Sequence, residues 1–155
     1  MNSTKRLQKG FTLIELLVVI GILAILLAIT LIAINPARQF SQTNNTKRSS
    51  DVNAILNAIN QYMADNKGAL PAGITSTAQT ISGTTFNTLC SALVPQYIAS
   101  LPADPLVNNG TPVSATDCTG STWTTGYMVQ QVSGSNRLSV SAPAAELGAT
   151  ITVTR

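Results

Sequence analysis

Glu15 is a carboxylate in a stretch of sequence that offers it no water. Between Gly10 and Ile34 it is the only ionisable side chain. A carboxylate moved into apolar surroundings must find a cation or hydrogen-bond donors, or take up a proton. The chain holds no histidine, which removes Ser-His and Cys-His nucleophile pairs and His-based metal ligands. Two cysteines, Cys90 and Cys118, cannot hold a structural zinc by themselves. No P-loop and no Gly-x-Gly-x-x-Gly phosphate cradle is present. The chemistry left is charge pairing and thiol oxidation, so neither an enzyme nor a bound cofactor is expected.

Two segments of opposite character meet at this carboxylate. Residues 1–10 contain Lys5, Arg6 and Lys9 and no acid. From Leu16 to Ile34 the 19 residues are apolar apart from Gly21 and Thr30. As a helix this run would be about 28 Å long, close to the hydrocarbon thickness of a bilayer. The cationic flank lies on its N-terminal side, which puts residues 1–10 in the cytoplasm and the rest outside. A conventional secretory signal would have a shorter apolar core, about 7–15 residues, and a small-residue cleavage site. Ala33-Ile34-Asn35 is a poor one. An uncleaved single-span anchor is the other reading of the same run.

The segment Lys9-Gly10-Phe11-Thr12-Leu13-Ile14-Glu15-Leu16-Leu17-Val18-Val19-Ile20 resembles the class III leader and N-terminal segment of type IV pilins and of the pilin-like subunits of type II secretion systems. The resemblance covers about the first 35 residues. It implies that a membrane-embedded prepilin peptidase cuts between Gly10 and Phe11, and that Phe11 is then N-methylated. It further implies that the Phe11 amine pairs with Glu15 of a neighbouring subunit during assembly. Gly10 suits such a site because it has no side chain to obstruct a peptidase. The competing reading of Glu15 is a side chain that snorkels to the membrane boundary.

The formal charge of +3 invites a nucleic-acid or anionic-lipid reading. Loss of the three leader cations leaves six basic side chains against six acidic ones. No strong basic footprint then remains, and no specific nucleic-acid binding is expected, although Lys47-Arg48 would form a small local patch.

Asn35-Pro36 interrupts the stem, because proline breaks the hydrogen-bond ladder and Asn35 can cap a new start. If fully helical, 11–67 would make a rod of about 85 Å. Ser41 to Ser50 is wholly polar apart from its charges and is expected to face solvent. Val52, Ile55, Leu56, Ile59, Asn60 and Met63 then recur at helical spacing, a stripe suited to packing on a sheet. Lys67-Gly68 and Pro71 predict the stop.

The remainder is rich in Thr, Ser, Gly and Pro. A short helix is expected over 87–93. Three strands follow: Gly126 to Val132, Leu138 to Ala142 and Ala149 to Thr154, with a turn at Ser133-Gly134-Ser135-Asn136. Leu101-Pro102-Ala103-Asp104-Pro105 resembles an element of pilin-like secretion subunits, some of which bind calcium through a later acidic loop. This chain offers only Asp104, Asn108, Asn109 and Asp117, too few carboxylates for that ion, and no metal site is expected. In an extracellular head Cys90 and Cys118 would form a disulfide. Two free buried thiols are the alternative.

The expected fold is α+β: a long N-terminal helix, transmembrane below and amphipathic above, packed against a small antiparallel sheet. Its parts are a cleaved leader (1–10), a hydrophobic transmembrane and assembly helix (11–35), its amphipathic continuation (36–67) and a β-rich head (68–155). The expected function is that of a pilin, held as a single-span membrane protein and then polymerised with copies of itself into a helical surface filament by pilus or secretion machinery. The alternatives are a pseudopilin of a secretion piston and a membrane-anchored extracellular binding module that does not polymerise.

Overall fold

The computed structural model describes residues 10–155. The leader cations Lys5, Arg6 and Lys9 lie outside the described residues. The chain divides into two compact units, one ending at Gln39 and the other running Phe40–Arg155.

In the first unit, helix α1 spans Leu13–Ile34 and buries none of its residues. Its 22 residues rise about 33 Å, enough for a hydrocarbon core roughly 30 Å thick. Among the described residues it is the one helix long and apolar enough to cross a membrane. The polar group within it is satisfied locally: Thr30 Oγ1 donates to the Leu27 carbonyl at 2.9 Å. The helix ends where Pro36 disfavours α backbone at the residue before it. Asn35 instead adopts the left-handed conformation, φ 48° and ψ 77°, which Asn tolerates better than most residues.

Helix α2, Pro36–Asp65, starts directly afterwards, with proline at the first position that its missing N–H suits. The Arg38 N–H donates to the Asn35 carbonyl at 3.1 Å and to Asn35 Oδ1 at 3.3 Å. The break expected at this dipeptide is present: α1 ends at Ile34 and α2 begins at Pro36. At its far end α2 stops through left-handed residues Lys67 (φ 57°) and Gly68 (φ 84°). There the Gly68 N–H returns to the Met63 carbonyl at 2.7 Å.

The Phe40–Arg155 unit is built on the apolar stripe of α2. Val52, Ile55, Leu56 and Ile59 are fully buried, and Met63 packs at the margin of the core. Over them lies a four-stranded antiparallel sheet in the order β1-β2-β3-β4: Gln79–Ser82, Thr124–Gln131, Leu138–Ala142 and Ile151–Thr154. Val129, Val140 and Val153 stand in register across β2, β3 and β4, a β-branched row of the kind that stabilises sheets. Helix α3, Asn87–Leu93, covers the core with Leu89 and Leu93. Cys90 of α3 is bonded to Cys118, with Cα atoms 5.4 Å apart.

Two expectations are corrected. The sheet has four strands, not three: β1 was hidden in a Ser/Thr-rich stretch in which Ile81 is the single buried apolar residue of the strand. The polar stretch of α2 between Ser41 and Ser50 faces solvent on one side only, through Gln42, Thr43, Thr46, Lys47, Ser49 and Ser50, and Lys47-Arg48 is not a basic patch. Arg48 is completely buried, while Ser41, Asn44 and Asn45 are half-buried.

Gly126 lets the 101–107 segment lie against β2. Its φ is 77°, and a Cβ there would stand 3.0 Å from both Asp104 Cβ and Val107 Cγ2. Gly126→Ala is therefore expected to destabilise by roughly 1–3 kcal/mol. Urea unfolding of the detergent-solubilised chain should show a lower midpoint; an unchanged one would mean that the segment moves aside freely.

Candidate functional site

The chain enters α1 through three exposed residues, Gly10, Phe11 and Thr12. A Cβ on Gly10 would meet nothing within 4 Å, and Phe11 is 85% exposed. Thr12 is the N-cap, with extended backbone at φ −82° and ψ 152°. Its Oγ1 accepts the Glu15 N–H at 3.3 Å. In return Glu15 Oε2 accepts the Thr12 N–H at 2.8 Å and the Thr12 hydroxyl at 2.7 Å. This reciprocal arrangement, a capping box, satisfies helix-end donors that would otherwise be orphaned. Glu15 also lines a shallow apolar hollow with Phe11, Ile14, Val18 and Val19.

Thus Gly10 and Phe11 lie outside the helix and Glu15 lies in its first turn. Thr12 is a partner of Glu15 that the charge-pairing argument passed over. The signal was available: Thr-x-x-Glu ahead of an apolar run is the sequence pattern of a capping box.

A second constellation lies in the Phe40–Arg155 unit. Arg48 holds Asp104 with two bonds, Nε to Oδ2 at 2.6 Å and Nη2 to Oδ1 at 3.1 Å. Its Nη1 donates to Glu146 Oε2 at 2.8 Å and to Asn45 Oδ1 at 3.1 Å. The Arg48 and Asp104 side chains are wholly buried, and that of Glu146 is 28% exposed. Glu146 also accepts from Ser41 at 2.9 Å and from Asn44 at 3.0 Å. Nearby, Asp51 takes Lys47 Nζ at 2.9 Å and the Tyr127 hydroxyl at 2.8 Å.

The electrostatics follow from this geometry. Hydrogen bonding to Asp104 raises the Arg48 pKa further still, against the effect of burial. Bonds from Asn44, then from Arg48 and Ser41, hold the Glu146 carboxyl below the ordinary carboxylate range. Burial and then the bond to Asp51 push the Tyr127 phenol up. These charges satisfy one another. Of the calcium candidates, Asp104 is committed to Arg48, and Asp117 accepts the Ser114 amide at 2.9 Å and hydroxyl at 2.6 Å. Among the described residues no group of three or more His, Cys, Asp or Glu is placed to hold a metal ion.

Similarity to a known family falls within the N-terminal unit. Residues 5–31 match the prokaryotic N-terminal methylation motif, the class III leader signature of type IV pilins and pseudopilins. The family defined by this motif is structural and not enzymatic. No curated protein and no solved structure matches the chain. The chain therefore carries the N-terminus of a pilin- or pseudopilin-like precursor on an α+β head.

The buried cluster makes two predictions. Arg48→Met leaves Asp104 buried without its counter-charge and should destabilise by about 3–5 kcal/mol, read as a large fall in the urea midpoint. Glu146 acts through pH. Its carboxyl binds a proton less readily folded than unfolded, so its contribution is present at neutral pH and is lost as pH falls through its folded pKa. The stability gap between wild type and Glu146→Gln should accordingly shrink on acidification from pH 7. A gap that stays constant with pH would remove the ionised carboxylate from the account.

Proposed function

We propose that this chain is the precursor of a filament subunit of the type IV pilus kind. The observation that carries this reading is the methylation motif laid on a helix whose entire apolar surface is exposed. Such a helix is stable only in lipid or among other helices. It is held first in the membrane, with 1–10 cytoplasmic. The prepilin peptidase cuts between Gly10 and Phe11, Phe11 is N-methylated, and α1 passes from lipid into a bundle of copies. Glu15 then takes the Phe11 amine of a neighbour, since a charge at that depth needs a counter-charge. Assembly machinery drives the exchange. In this scheme the functional parts are a leader (1–10), an assembly helix (11–35), its continuation (36–67) and a head (68–155) carried outside the cell.

The segment Leu101–Pro105 favours a second reading, a pseudopilin of a secretion piston, because of its resemblance to that group. The two readings share processing and differ in where the product accumulates.

Intact-mass spectrometry of material sheared from cells tests both. A surface filament yields an abundant species beginning at methylated Phe11, light by the hydrogens lost in the Cys90–Cys118 disulfide. Processed chain confined to the membrane fraction favours the piston, and chain still beginning at Met1 overturns both. Glu15→Ala is expected to leave cleavage intact and abolish sheared filament. Wild-type amounts from that variant would remove the pairing role and favour an anchored module.

A further inference from the structure

Thr12 binds one oxygen of Glu15 from two donors. The amide and the hydroxyl of Thr12 both fall on Oε2, at 2.8 Å and 2.7 Å, and among the described residues no donor falls on Oε1, which leaves its acceptor capacity for a donor from elsewhere. The Thr12 hydroxyl cannot turn away freely, because its oxygen also accepts the Glu15 N–H at 3.3 Å. These three bonds fix the carboxylate against the helix start, at the edge of the hollow lined by Phe11, Ile14, Val18 and Val19.

We propose that Thr12 is a positioning residue for the assembly pairing: it stores Glu15 as a carboxylate and presents Oε1 to one amine brought by a second copy of this chain. The inference rests on the filament reading and assigns a division of labour within it. In apolar surroundings the two Thr12 donors offset part of the cost of an ionised carboxylate before any partner arrives. The backward reach of Glu15 ends on the Thr12 amide.

Two variants separate positioning from simple capping. Thr12→Ser keeps the hydroxyl donor. Thr12→Gly removes it but keeps the main-chain N–H and a residue that caps helices about as well as threonine. Each is introduced into the full chain in the native host, with Glu15→Ala alongside. Sheared filament is quantified, and processed, methylated chain in the membrane is measured by intact mass. The expectation is normal processing in all three, near-normal filament for Thr12→Ser, and at least about a fivefold loss for Thr12→Gly, the factor set by a bond worth about 1 kcal/mol. Wild-type filament from Thr12→Gly with none from Glu15→Ala overturns this inference and leaves the filament reading standing. Wild-type filament from both overturns both. Loss in Thr12→Ser as severe as in Thr12→Gly points to the threonine methyl and also overturns it. Failure of cleavage in Thr12→Gly assigns Thr12 to the peptidase instead.

Discussion

A guanidinium sealed from water must find its counter-charge and its hydrogen bonds in protein, and the Phe40–Arg155 unit is arranged around that demand at Arg48. Three segments remote in sequence meet there: α2, the 101–106 segment through Asp104, and the loop after β3 through Glu146. The loop at Glu146 is tied to α2 at its side chain and along its backbone, where Asn45 donates to the Glu146 carbonyl and accepts its N–H. Buried ion pairs are weak evidence for net stability, since apolar packing of equal volume is often as good. Their contribution here is register. A one-turn slip of α2 would leave Asp104 without a partner, whereas a purely apolar stripe would be less discriminating. The disulfide between α3 and the turn at Asp117–Thr119 secures a different loop by covalent chemistry.

Helix α1 poses a different problem. It presents apolar side chains all round, and lipid offers no hydrogen bonds to a polar group placed among them. Each polar group there is accordingly bonded within a turn: Thr30 to the Leu27 carbonyl, and Thr12 and Glu15 to one another. The two units thus answer separate constraints, burial of a stripe for one and hydrogen bonding of the polar side chains of α1 within a turn for the other.

Much of this was legible in the sequence where periodicity and physics were unambiguous. The apolar run, the break at Asn35-Pro36, the stripe from Val52 to Met63, the short helix at 87–93 and the β2–β3 turn are all strong local signals. What was not legible arose from long-range pairing. Arg48 lies four residues before Val52, so the buried stripe extended back by one turn lands on it. Polarity concealed that continuation, because a charged residue reads as exposed until Asp104 and Glu146, distant in sequence, are known to meet it. Strand β1 was missed because Gln79-Thr80-Ile81-Ser82 carries little apolar pattern; pairing with β2 decides its state. The Thr12–Glu15 box is legible as Thr-x-x-Glu ahead of an apolar run.

The distribution of charge connects the two halves of the argument. In the Phe40–Arg155 unit, Arg48, Asp104 and Glu146 turn toward one another, Lys47 toward Asp51, Asp65 toward the Tyr97 hydroxyl and Asp117 toward Ser114. Its outer surface is left rich in hydroxyl and amide groups, which exert little long-range steering on an approaching copy. An apolar stem adds a strong but non-directional drive to associate, and a helix that is greasy all round can slide or rotate against its neighbours at little cost. On the filament reading, direction and register must then come from the rare polar feature in that stem, as a single buried polar residue fixes register in a coiled coil. Thr12 and Glu15 are that feature. On that reading, a carboxylate held in one orientation at the helix start would define one height and one face for the next subunit, which a freely rotating one would not.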